Sequence, residues 1–221
     1  MTIPNILDED HIDAAAKLLR AYYNDLFASE MPRTGSRFDS WAGGGDAAGV
    51  ANRVVSDDPV AVSLLSVKIP ARAAVGILET HGPEITDHLK QLPLNVDLAD
   101  LTPDEFDKYL GTGSPGMCLW HVLRATTTGR WGIGETKASK IMARKRPQLI
   151  PIYDSIVGPL MGLPKNSVGQ WKKWHTALID GTGLTHRLQE IRRLSGISDP
   201  ISDIRVMDIV LWMYRKETAA S

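Results

Sequence analysis

The chain has one cysteine, Cys118, in 221 residues. No internal disulfide can staple it, and a fold held by apolar burial in a reducing, cytoplasmic setting is expected. It has no apolar run of the eighteen or more residues that a membrane span needs. Its first eleven residues, MTIPNILDEDH, lack the basic and apolar regions of a secretory signal. His11, His81, His88, His121, His175 and His186 fall at no metal-ligand spacing, and no phosphate-loop or Ser-His-Asp pattern is present. No metal and no cofactor is therefore implied. Strand-like alternation with hairpin turns does not recur and no internal repeat is visible, so the expected class is all-α.

What is present is ample core material and uneven charge. At 43% hydrophobic residues the chain is long enough to bury most of its apolar surface as one domain or two small lobes. The net charge of −1 conceals an asymmetry. Residues 1–110 hold 9 basic against 18 acidic side chains, whereas residues 111–221 hold 16 against 8. An acidic N-terminal lobe over 1–110 and a basic lobe over 111–221, together one compact unit, are the expected organisation. Within 121–150 there are seven basic residues to one acidic, Glu135. A localised nucleic-acid footprint has that composition, as does a basic lobe that merely attracts an acidic one.

Helical signals run along the chain. Residues 10–26 place Ile12, Ala15, Ala16, Leu19, Tyr22, Tyr23 and Leu26 on one face. Asp57 and Asp58 offer caps, with Pro59 in the first turn, for the apolar run VAVSLLSV, which reads as a buried helix or a strand, its length favouring helix. Pro70 and Pro83 open short helices. Thr102-Pro103-Asp104-Glu105 combines a capping Thr, a first-turn Pro and a Glu at the third position. Further helices are expected over 115–127, 135–146, 166–180, 183–194 and 201–216. A long loop over 32–49 carries Trp41 and Gly43-Gly44-Gly45-Asp46, which reads as a flexible connection ending in a cap, or as a loop over a substrate mouth.

The stretch 131–157, WGIGETKASKIMARKRPQLIPIYDSIV, carries most of the functional information. Gly132-Ile133-Gly134 forms a tight turn at the head of a helix, whose amides make a cradle for phosphate. Ala138, four residues on, allows a close helix neighbour. Lys137, Lys140 and Arg144 fall at i, i+3 and i+7, hence on one helical face. This face is either solvated or, beside such a turn, set against a nucleic-acid backbone. Asp154 follows after Pro151-Ile152-Tyr153, twenty residues beyond Gly134. It heads another apolar run and is equally suited to capping a helix.

The pattern Gly-hydrophobe-Gly-x-x-x-Ala with a spaced Asp resembles the helix-hairpin-helix DNA glycosylase superfamily, in particular its endonuclease III-like branch, over 117–160. The chain also resembles a family of bacterial proteins that share an ARKRP…P-x-YDS block, which implies no function. The glycosylase resemblance implies a two-lobed all-α fold that grips double-stranded DNA through Gly132, Ile133, Gly134, Thr136, Lys137, Lys140 and Arg144. It implies that a flipped damaged or enzymatically modified base, as in foreign DNA, is cut from its sugar with Asp154 as the catalytic carboxylate. An anion there would stabilise the oxocarbenium-like charge and orient or deprotonate a water, and a helix dipole would favour its charged form. Trp131 and Tyr153 are the candidates for stacking the extruded base.

The chain departs from the family in two ways. One cysteine cannot hold the four-cysteine iron–sulfur cluster of several relatives. The nucleophilic Lys of bifunctional relatives, two residues after the second glycine, is replaced by Thr136. Lys137 is one residue later and thus turned by about 100°, which implies hydrolysis without lyase activity. The alternative expectation is a non-catalytic DNA-binding or damage-sensing protein, located at the nucleoid like the enzyme, in which Asp154 serves only as a cap.

Overall fold

The computed structural model describes residues 3–26, 30–126, 129–164, 166, 167 and 169–220. The fold is all-α. Among the described residues eleven α-helices follow one another: α1 Ile12–Asn24, α2 Asp57–Leu64, α3 Ala71–Val75, α4 Gly82–Lys90, α5 Pro103–Leu110, α6 Pro115–Arg124, α7 Glu135–Lys145, α8 Val157–Leu160, α9 Gln170–Ile179, α10 Leu184–Ser195 and α11 Asp203–Ala220. Among the described residues the only strand-like pairing is an isolated bridge between Leu26 and Pro32. No helix of the described residues is long and apolar enough to cross a membrane.

Local chemistry sets several of the boundaries. Thr102 and Glu105 make the expected capping box at α5, with Glu105 Oε2 accepting from the Thr102 amide at 2.9 Å. Ser114 caps α6 through its hydroxyl oxygen, and Pro115 follows as the first helical residue. That helix stops at Ala125, which adopts a left-handed conformation. Thr127, the expected end of the helix, lies outside the described residues. Asp57 and Asp58 do not cap α2 but lie within its first turn.

The chain divides into two compact units, and the division is not the charge boundary at residue 110. One unit joins residues 1–36 to 151–221; the other is the continuous stretch 37–150. In the first, α1 packs on α10 and α11, α10 on α9 and α11, and α8 on α11. Leu7, Leu19, Leu184, Leu188, Ile191, Val206 and Val210 supply its core. Arg20 of α1 donates to the Ser195 and Leu194 carbonyls at 2.9 and 2.7 Å, satisfying acceptors that the end of α10 leaves open. In the second unit, α6 packs on α4, α5 and α7, and α2 packs on α7, around Ile77, Ile85, Leu89, Leu119, Leu123 and Ile141.

Division at these boundaries removes the charge asymmetry. The first unit has 12 basic and 13 acidic residues, the second 13 and 13. The contrast between the sequence halves is therefore not a contrast between folded units.

Candidate nucleic-acid interface

Within the second unit, α6 packs on α7, and a turn at 132–134 leads into α7. Gly132 has φ +88°, and a Cβ there would lie 2.9 Å from Pro70 Cγ. Both the conformation and the space require glycine. Ile133 is buried and anchors the turn. Gly134 differs: its backbone is extended, at φ −89° and ψ −174°. A Cβ there would meet nothing within 4 Å. Gly134 is also the residue preceding α7, and no side chain caps that helix. The amides of a helix's first turn have no intrahelical acceptor, so this end is open to an anion at the glycine of the turn that packing does not require.

Three ties hold the turn in place. Arg124, the last residue of α6, pairs with Glu135, the first of α7, at 3.8 Å. Lys137 Nζ donates to the Gly132 carbonyl at 2.9 Å. The Trp131 indole donates to the Leu123 carbonyl at 2.8 Å. The Trp131 ring stands edge-on to His81, 5.3 Å between centroids, and lies where a side chain on Gly76 would be. Trp131 is thus a packing element of the turn, and it is only partly exposed.

The basic face expected on α7 does not form. Lys140 is 3% exposed and donates to the Leu65 carbonyl at 3.0 Å. Arg144, also 3% exposed, donates to the carbonyls of Phe38 and Asp39 at 2.7 and 2.8 Å, and to that of Trp41. Neither reaches a phosphate from solvent. Arg144 Nε faces Asp58 Oδ1 at 3.5 Å, while Lys145 Nζ meets Asp58 Oδ2 at 2.8 Å and the Gly45 carbonyl at 2.8 Å. Arg146 donates to the carbonyls of Ala51, Leu92, Lys145 and Leu89 and to Asn52 Oδ1.

The basic tract is therefore a core clasp that ties loop carbonyls of residues 38–52 to the end of α7. Asp58 is the carboxylate it closes on. Long aliphatic stems let such side chains line an interior while their heads find acceptors. Burial lowers the Lys145 pKa, with Asp58 opposing, and pushes Arg146 down to about 10, with Asp46 opposing. The glycine-rich loop after Trp41 is a held segment and not a flexible connection: a Cβ on Gly45 would lie 2.3 Å from the Arg144 carbonyl oxygen. Charge counting missed this clasp because its partners are main-chain carbonyls, which every sequence offers everywhere.

Asp154 belongs to the other unit, as does Tyr153. Asp154 is half-buried, and its Oδ1 accepts from the Ile156 amide at 2.8 Å. Its carbonyl accepts from Gly158 at 2.8 Å. The helix that follows, α8, is a single turn, so the amide of Ile156 and not a long helix dipole is what the carboxylate meets. Tyr153 is 7% exposed, with its ring edge against Gly158. Behind this segment, Gln170 Nε2 donates to the Ile152 carbonyl at 2.7 Å. Nothing in the sequence marked Gln170.

A protein-family model described as "Family of unknown function (DUF6308)" matches residues 15–215. The chain belongs to this family. The match spans both compact units, so turn, clasp and Asp154 segment all lie within the family's extent. No curated protein and no solved structure matches the chain.

Of the residues expected to contact DNA, Gly132, Gly134, Thr136 and Lys137 reach solvent, and Arg130 beside them is exposed. Ile133, Lys140 and Arg144 do not.

Proposed function

We propose that this protein binds duplex DNA through the turn at 132–134 in the manner of a helix-hairpin-helix motif, and that it acts as a DNA glycosylase without lyase activity, with Asp154 promoting hydrolysis of the base–sugar bond. The observation that carries the binding reading is Gly134: extended, open for 4 Å, and heading a helix that no side chain caps. A phosphate approaching there meets amides and the positive end of α7. The absence of lyase chemistry is supported by Lys137, whose amine is engaged at the Gly132 carbonyl, and by Thr136 in the position of the nucleophile of the bifunctional glycosylases that the turn resembles.

Because Lys140 and Arg144 are internal, few cations accompany the turn. Apart from Arg124, which pairs with Glu135, Arg130 and Lys137 are the cations beside it among the described residues, which sets a log–log salt slope of about −2 for duplex affinity. A slope of about −4 or steeper would show that a different, larger basic surface binds the DNA. Catalysis is tested by single-turnover incubation of wild type and Asp154→Asn with duplexes carrying uracil, alkylated, oxidised or hypermodified bases, followed by alkali. Alkali-dependent strand cleavage by wild type, lost in Asp154→Asn while duplex affinity persists, is the expected result. Equal cleavage by both proteins would refute the role of Asp154.

A second reading, a non-catalytic DNA-binding or damage-sensing protein, is favoured by one observation. Asp154 Oδ1 already serves the Ile156 amide, a structural task sufficient in itself for an Asp at a turn. Tight duplex binding by both proteins with no cleavage of any substrate is the outcome that reading expects.

A further inference from the structure

Gln170 opens α9 and is 2% exposed. Its neighbour across the unit is a carbonyl, that of Ile152 at 2.7 Å, so the amide nitrogen must face it. That leaves Gln170 Oε1 buried with no hydrogen-bond partner. One turn on, Trp174 Nε1 is likewise buried without one. An unsatisfied buried acceptor costs stability. For stability alone, an apolar side chain of the same shape would trade the unpaired Oε1 for an unpaired Ile152 carbonyl and lose little. What it could not do is fix the Ile152 peptide.

That peptide stands two residues before Asp154. Residues 151–154 form no helix, so their conformation depends on what holds each end. Downstream, the Asp154 carboxylate is held by the Ile156 amide and its carbonyl by that of Gly158. The Tyr153 ring is seated against Gly158. Upstream, the hydrogen bond from Gln170 is a side-chain tie to the Ile152 carbonyl. We infer that Gln170 is a positioning residue for Asp154: its carboxamide fixes the segment that delivers the carboxylate. The consequence for catalysis rests on the glycosylase reading above; the consequence for the segment's order does not.

The test compares Gln170→Met, which keeps shape and removes the donor, with Gln170→Glu. A protonated Glu donates O–H to the Ile152 carbonyl, whereas an ionised one repels it. Both variants are expected to keep the wild-type circular dichroism spectrum. In Gln170→Met, exchange protection of the Ile156 and Gly158 amides, read by NMR, should fall about tenfold as the segment opens locally. In Gln170→Glu, protection should return at acid pH and disappear as the new carboxyl ionises, a pH profile that a space-filling role would not produce. Unchanged protection at Ile156 and Gly158 in Gln170→Met overturns the inference, whether or not the protein cleaves DNA.

On a cleavable duplex, Gln170→Met should lower the single-turnover rate on the order of a hundredfold at unchanged affinity, since small displacements of a reacting group are that costly. Wild-type rates in Gln170→Met alongside an inactive Asp154→Asn would also overturn it. Full activity in Asp154→Asn together with lost protection in Gln170→Met would refute the catalytic reading while supporting the positional one.

Discussion

At the scale of single residues, Asp58 is the carboxylate on which two buried cations of the second unit close. It accepts from the Val55 amide at 2.8 Å, meets Lys145 at 2.8 Å and faces Arg144 at 3.5 Å, with all three ion-pair side chains essentially buried. Removing the carboxylate leaves two interior cations with main-chain carbonyls alone. Asp58→Ala is expected to destabilise the protein by about 3–5 kcal/mol, measured by urea unfolding. A loss below about 1 kcal/mol would show that the pair behaves as an exposed one. The sequence offered Asp58 as a helix cap, because Asp before an apolar helix usually is one. What it could not offer was the identity of partners 86 and 87 residues away.

At the scale of elements, the turn before α7 makes two glycines separated by one residue inequivalent. Gly132→Ala places a Cβ at φ +88° and against Pro70, which should cost about 1–2 kcal/mol from conformation alone and more from the contact. Gly134→Ala meets open space at an extended φ, so stability should be unchanged within about 0.5 kcal/mol while the methyl obstructs an approaching phosphate. Thermal unfolding and duplex titration of both variants check this; Gly134→Ala binding as well as wild type would refute the proposed contact.

The capping box of α5 supplies a pH signature. Hydrogen bonds from Thr102 hold the Glu105 carboxylate below its ordinary pKa. The folded state therefore releases this proton more readily than the unfolded chain, and the stabilisation is complete above the unfolded value and lost as pH falls through the folded one. The Tm difference between wild type and Glu105→Gln should accordingly narrow as pH drops below about 4. A difference constant from pH 7 to pH 3 would contradict it.

At the scale of the molecule, residues 37–150 form a continuous unit between two segments that fold together. The charge boundary at 110 cuts through the helices of that unit, separating α5 from α6. A fragment of residues 37–150 is expected to unfold cooperatively in urea, because its core lies within it. A fragment of residues 111–221 is expected to lack a cooperative transition, since α6 and α7 lose α2, α4 and α5. Cooperative unfolding of the second and not the first would restore the division by charge.

The sequence by itself determined the helical class, most helix positions and the turn at 132–134. These are local properties: periodicity, capping residues and glycine spacing act over a few positions, as at Thr102, Ser114 and Gly132. The tertiary structure alone decided what the charges do. Lys140, Arg144 and Lys145 sit on a helix whose whole second half is buried, with Arg146 directly after it, and a helical pattern of cations looks the same whether its acceptors are phosphates outside or carbonyls inside. Gln170 was silent for the same reason, as its partner is a peptide group with no signature of its own. Side-chain type records what a residue can bond; only the packed chain fixes which acceptor it finds and whether water is still there to compete.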